Sequence, residues 1–289
     1  MLLLGAVLVA ASAAGASLRA TSQPILFASD RSGNYDLYVM STDGSSVRPL
    51  TRTRLPEENP AWSPDGKRIA FALGGRHSDV WTASADGSSR RDLTPGTPSN
   101  DRFPAWSPDG KRIVFESDRS GYGDLFVMKA EGGTPRRLTR TAALDFSPSW
   151  SPDGSRIAFV SNLGGNLDLY TIRTDGRGLR RLTTAVGFDL YPSWSPDGKQ
   201  IVFASSRDIQ GGRISEIYVM DADGRNAQRL THNLVDDWLP SWSPDGRHIV
   251  FTRNVGKHNN EIYVMDVDGK HQQRLTHSPA NDLSPVWQP

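Results

Sequence analysis

From Ile25 to the C-terminus the chain is cut into short apolar runs separated by turn-forming residues, and one order of runs keeps returning. An all-apolar stretch appears as ILFAS at Ile25, IAFAL at Ile69, IVFES at Ile113, IAFVS at Ile157, IVFAS at Ile201 and IVFTR at Ile249. A second run resembling DLYVM begins at Asp36, Asp79, Asp124, Asp168, Glu216 and Glu261. A third, basic-x-Leu-Thr, ends at Thr51, Thr94, Thr139, Thr183, Thr231 and Thr276. A Pro-x-Trp segment completes the unit at Trp62, Trp106, Trp150, Trp194, Trp242 and Trp287, spaced 44, 44, 44, 48 and 45 residues apart. All four runs are short, rich in Ile, Val, Phe, Tyr and Thr, and bounded by Gly, Pro and Asp, so each predicts a β-strand.

The punctuation predicts how the strands connect. Ser-Pro-Asp-Gly follows five of the six tryptophans, with Pro pre-set for a tight turn and Gly supplying a positive φ. Asp-Gly joins the third and fourth strands at Asp43-Gly44, Asp86-Gly87, Asp175-Gly176, Asp223-Gly224 and Asp268-Gly269, with Glu131-Gly132 as the variant. Four antiparallel strands in about 45 residues form one sheet, and runs such as IVFAS are apolar on both faces. A lone four-stranded sheet leaves such faces bare, whereas sheets packed radially against two neighbours cover them. The expected fold is all-β: a six-bladed β-propeller of four-stranded antiparallel blades. The final Pro285–Trp287 segment has no turn after it and is expected to close the ring as the inner strand of the blade begun at Ile25.

Composition narrows the function. With 33 Lys+Arg against 32 Asp+Glu the net charge is +1, so no nucleic-acid partner is expected. The absence of cysteine excludes disulfides, a catalytic thiol, thiolate zinc and a lipid-modified N-terminal cysteine. Residues 1–20 read as a signal peptide or N-terminal anchor: an apolar core at Leu2–Ala10, then small residues with Ala14-Gly15-Ala16 as a cleavage-site pattern. No basic residue precedes that core, which leaves a start further upstream, a weak signal or an uncleaved anchor open. Residues 21–289 form the propeller, and membrane contact is expected only through the N-terminal segment, if it is retained. The protein is expected to be exported, periplasmic or extracellular, and monomeric.

The unit PxWSPDGxxIxFxSxRxGxxDLYVMxxDGxxxRxLT, from Ile25 to Trp287, resembles the repeat of the TolB family, the periplasmic propellers of the bacterial Tol–Pal envelope system. The resemblance implies the six-bladed fold and a protein or peptide partner in the envelope. TolB also carries an N-terminal α/β domain; about twenty residues precede Ile25 here, so that domain is not expected and its role is not carried over.

Candidate chemistry lies on the side of the inter-blade loops and of the loops between second and third strands, because those vary while the SPDG and Asp-Gly turns repeat. A carboxylate stands three residues before each Pro-x-Trp proline: Glu57, Asp101, Asp145, Asp189, Asp237 and Asp282. Sixfold repetition predicts a ring at one mouth of the central channel. Neighbours about 8 Å apart would repel by about 2 kcal/mol at an effective dielectric of about 20. Arg31, Arg119 and Arg207, at equivalent second-strand ends, are expected partners; blades two, four and six have Gly75, Leu163 and Val255 there, which leaves a bound calcium as an alternative. Phe103, Phe146, Phe188, Tyr191 and Trp238 sit where the repeat needs no large ring; Phe103, Tyr191 and Trp238 with Arg102, Arg119 and Arg207 form the candidate partner face, the alternative being that such rings tuck under neighbouring loops as plugs.

Catalytic signatures are missing: no Gly-x-Ser-x-Gly, HExxH or P-loop occurs, and His232 and His277 share a repeat position without a third. The leading expectation is a non-catalytic exported binding module without a cofactor, recognising a protein, peptide or envelope polymer through the inter-blade loop face. The alternative is a calcium-dependent hydrolase or lyase at the channel mouth, by fold-level analogy.

Overall fold

The computed structural model describes residues 23–208, 214–256 and 259–289. The leader at residues 1–20 and part of the longer loop of the fifth blade lie outside the described residues. Six four-stranded antiparallel sheets are present, and within each the strands follow chain order from the inside outward. Blade one is the exception that makes the ring: its inner strand is Asp282–Trp287, followed outward by Ile25–Ser29, Asp36–Met40 and Arg48–Pro49. Ile25 pairs with Trp287 and Ser29 with Asp282, as the clasp reading requires. Gln288 extends the clasp, donating its amide to the Pro24 carbonyl at 2.9 Å and its side-chain nitrogen to the Gly66 carbonyl at 2.9 Å in blade two.

The remaining inner strands are Glu57–Trp62, Asp101–Trp106, Asp145–Trp150, Asp189–Trp194 and Asp237–Trp242, in blades two to six. Each packs against the inner strands of both neighbours, so they surround a common axis. The core is divided among the blade boundaries. Ile25, Phe27, Tyr38 and Met40 of blade one meet Val250, Ile262, Val264 and Leu275 of blade six, and five further clusters repeat the arrangement. The central residue of every second strand is a phenylalanine (Phe27, Phe71, Phe115, Phe159, Phe203, Phe251), all at 0–1% exposure. Burying each contributes about 2–3 kcal/mol.

The turns form as their residues dictate. Ser63 accepts the Arg68 amide on Oγ and donates to Asp65, while Gly66 sits at φ 65°. Asp-Gly turns have a second duty: a Cβ on Gly44 would stand 2.4 Å from the Leu275 carbonyl oxygen of the preceding blade, so the turn packs backbone against backbone. The fourth strands are shorter than the basic-x-Leu-Thr pattern predicts. Only two residues of each are strand, such as Arg136–Arg137, although the leucine that follows still donates its amide to the third strand, as Leu138 does to the Leu125 carbonyl at 2.7 Å. The threonines cap the third strands instead: Thr51, Thr94, Thr139, Thr183, Thr231 and Thr276 accept the amides of Leu37, Val80, Leu125, Leu169, Ile217 and Ile262.

Candidate functional site

The site begins with a fault in the inner strands. In every blade the pairing between the inner and second strands slips by one residue, for example between Arg102 and Ala105. The proline of Pro-x-Trp has no amide to give the ladder, which favours a bulge there. The residue before it takes a left-handed conformation in all six blades: Asn59 (φ 53°), Phe103 (50°), Ser147 (49°), Tyr191 (55°), Leu239 (51°) and Ser284 (55°). Phenylalanine, tyrosine and leucine are uncommon in that region, and the conformation costs about 1–2 kcal/mol per residue. These six residues line a cavity of about 180 Å³ at the axis, with the prolines beside them.

The lining breaks the sixfold symmetry of the fold. Asn59 and Ser284 make one side polar and small, while Phe103, Tyr191 and Leu239 make the other large and apolar. Phe103 lies 6.3 Å from Tyr191 and 6.5 Å from Phe146, and Tyr191 meets Trp238 edge-on at 5.9 Å between ring centroids. Four aromatic rings from blades three to six therefore form one continuous arc. Phe188, exposed on its loop, stands outside the arc. Inter-blade and second-to-third loops share this face, as their hydrogen bonds show: Asn281 donates to Asp30, Leu144 to Asn162, Phe188 to Ser206, and Asn254 to Asp236. Seven of the eight exposed large apolar side chains among the described residues are on these loops: Leu55, Tyr122, Leu144, Leu163, Val186, Phe188 and Leu234. The eighth, Leu179, follows an Asp-Gly turn.

The six predicted carboxylates open the six inner strands. All are at 0–1% exposure, and none lines the channel. Each first inner-strand residue is drawn into its own polar network, as a buried charge requires. Arg31 grips Asp282 through two 2.7 Å contacts, Arg119 reaches Asp101 at 2.5 Å, and Arg207 reaches Asp189 at 2.9 Å. Two of the three blades without an arginine at that position obtain one from elsewhere. Arg253, two residues before Val255, holds Asp237 at 2.6 and 2.7 Å, and Arg90 reaches Glu57 at 3.2 Å. Among the described residues Asp145 alone has no arginine; Thr141 donates to it at 3.1 Å, and its Oδ1 has no partner there. Burial pushes the Asp145 and Glu57 carboxyls above the usual range. Among the described residues no group of three His, Asp or Glu side chains is arranged to hold a metal ion.

The arginines of the predicted partner face divide. Arg119 and Arg207 are committed to their aspartates and lie over aromatic rings of their own blades, Phe126 at 5.1 Å and Phe203 at 5.1 Å. Arg102 is exposed; it reaches Ser78 at 3.2 Å and Asn100 at 3.3 Å, and stands across the strand pair from Glu116. Sequence reasoning passed over Glu116, which occupies the place of Ala28, Ala72, Val160, Ala204 and Thr252 in the other second strands. A carboxylate in an otherwise apolar repeat position was the signal available. It also passed over Asn59, Ser147, Leu239 and Ser284, because a left-handed residue before proline leaves no compositional mark.

A model of the TolB beta propeller domain matches residues 53–145, and a model of the Tricorn protease N-terminal beta propeller domain matches residues 120–218. The crystal structure of TolB from Acinetobacter baumannii superposes with a TM-score of 0.81 at 25% identity, covering 93% of this chain and 67% of that one. The chain folds as a TolB-type propeller. The TolB-type propeller is 34% identical over 123 residues to the Protein TolB homolog of Chlorobium chlorochromatii, 42% of this chain and 27% of that protein. It is 42% identical over 77 residues to the Tol-Pal system protein TolB of Anaeromyxobacter dehalogenans, 26% of this chain and 18% of that protein. The matched segments thus span about a quarter or less of these relatives' own lengths.

Proposed function

We propose that this TolB-type propeller is an exported, non-catalytic binding module that recognises a protein or peptide of the cell envelope through its inter-blade loop face. One partner side chain is seated in the channel mouth. The observation that carries this reading is the convergence of exposed apolar loops around an asymmetric, aromatic-lined cavity. Exposed apolar clusters of this kind mark interaction surfaces, and buried aromatic anchors dominate their energetics. Similarity to a Tol-Pal system protein supports a periplasmic location and an envelope partner. The near-neutral charge supports a partner other than nucleic acid.

The test uses the repeat itself. Ser147 and Ser284 occupy the positions of Phe103 and Tyr191 in other blades, so Phe103→Ser and Tyr191→Ser place there a residue the fold already accepts. Peptides selected from a random display library on the immobilised propeller should lose about tenfold or more in affinity for either variant. Selected peptides that bind both variants like the parent would overturn the reading.

A further inference from the structure

Glu116 is a half-buried carboxylate with neither a hydrogen bond nor an ion pair among the described residues, in a strand position that five other blades fill with Ala, Val or Thr. Strand register puts it on the same side as Arg102 and Leu125, facing blade four. Its Oε1 lies over Gly123, where a Cβ would stand 3.4 Å from that oxygen, 3.6 Å from the Asp145 carbonyl oxygen and 2.5 Å from the Leu144 side chain that covers the glycine. It is near enough to the aromatic arc that its charge, after burial, helps push the Tyr191 hydroxyl up. Burial raises the Glu116 carboxyl itself to about 7, against the opposing pull of Arg102 and with a small further push from Asp118. The other charged group at this junction, Asp145 of blade four, is fully enclosed. Arg102 is directed to Ser78 and Asn100, more than ion-pair distance from Glu116.

We propose that this end of the channel mouth is a cation site: Glu116, near the ring of Tyr191, receives an alkylammonium group, the head of a lysine side chain, from the docked peptide. The inference rests on the binding reading above and adds the chemistry of the anchor. An ammonium satisfies both halves of the arrangement at once. Its charge pairs with a carboxylate that has no partner among the described residues, and its CH₂ stem and positive head suit aromatic faces in a partly desolvated site. A carboxylate ligand would meet Glu116 as a like charge, and a neutral apolar one would leave Glu116 buried without a partner.

The experiment titrates the propeller with n-hexylammonium, n-hexanol and hexanoate, following the Trp238 indole N–H resonance, assigned with Trp238→Phe. At pH 8 hexylammonium should saturate and bind about tenfold more tightly than hexanol, with hexanoate weakest. Glu116→Gln should remove the preference over hexanol while leaving hexanol binding itself, and Glu116→Ala, which copies blades one, two and five, should do the same. Lowering the pH to 5.5 should shrink the preference in the parent. Equal binding of hexylammonium and hexanol, no saturable binding of hexylammonium, or a preference that survives Glu116→Gln would overturn the proposal. Display peptides that depend on Phe103 and Tyr191 but bind Glu116→Gln unchanged would overturn the cation site and leave the binding module standing.

Discussion

Replacing Asp92 with arginine should stabilise the protein, and should do so more at neutral than at acid pH. In blades three to six a carboxylate at or near the start of the third strand is gripped by an arginine of the fourth strand: Arg137 to Asp124 at 2.8 Å, Arg181 to Asp168 at 2.6 Å, Arg229 to Glu216 at 2.7 Å and Arg274 to Glu261 at 2.6 Å. In blade two the same place holds Asp92, opposite Trp81 as Arg137 is opposite Phe126, so Asp79 faces an anion instead of a cation. Burial, then the charges of Asp92 and Asp101, push the Asp79 carboxyl up to about 6. A folded-state value above the unfolded one means that protonation favours the fold. This group's contribution is therefore present below about pH 4 and lost as pH rises through about 6. Arginine at 92 would exchange repulsion for the pair used elsewhere, and its Nε would donate to the Thr94 carbonyl, as Arg137 does to that of Thr139 at 2.9 Å. Against this stands the lost 3.0 Å bond from the Thr94 amide to Asp92, about 1 kcal/mol. Both carboxylates are partly solvated, so screening reduces the gain, leaving a net of about 1 kcal/mol. For a chain of this size that is a melting-temperature rise of about 2–4 °C. The assay is thermal unfolding of the parent, Asp92→Arg and Asp92→Asn at pH 4.5 and pH 7.5. Asp92→Asn should recover only the part due to repulsion. An unchanged melting temperature at pH 7.5, or an equal rise at both pH values, would refute the electrostatic reasoning.

Two further outcomes test the site's architecture. Millimolar calcium should leave the melting temperature unchanged, because the six inner-strand carboxylates already have donors of their own; a saturable rise that disappears in Asp145→Asn would instead favour the hydrolase or lyase alternative. Ser284→Gly should raise stability by about 0.5–1 kcal/mol in urea unfolding, since glycine takes the left-handed bulge without the penalty of a Cβ, whereas no gain would mean that the bulge is unstrained.

The motif that repeats was legible from the chain alone, because its information is local. Ser63, Pro64, Asp65 and Gly66 shape their turn among themselves, and ILFAS or IYVM can only be a strand covered on both faces. Trp287 without a following turn marked the closing strand for the same reason. The candidate site was legible in part. Phe103, Tyr191 and Trp238 were recognisable as rings the repeat does not need, but their meeting is a property of the bulge before each proline and of blades arranged around an axis. The carboxylates show the limit most clearly. Sixfold recurrence suggested a ring of like charges at the channel, yet each is held in a polar network of its own. Arg253 does this from a position the repeat alignment assigns to serine in four other blades, and Arg31 does it across 251 residues of chain.

The sequence by itself determined the number of blades, the strand order, the turn chemistry and the seam, since each depends on residues a few positions apart. Tertiary structure alone decided which buried charges are neutralised, which side chains reach the axis, and that Glu116 has no partner among the described residues. Those outcomes depend on distances between blades, and such distances exist only once the ring has closed.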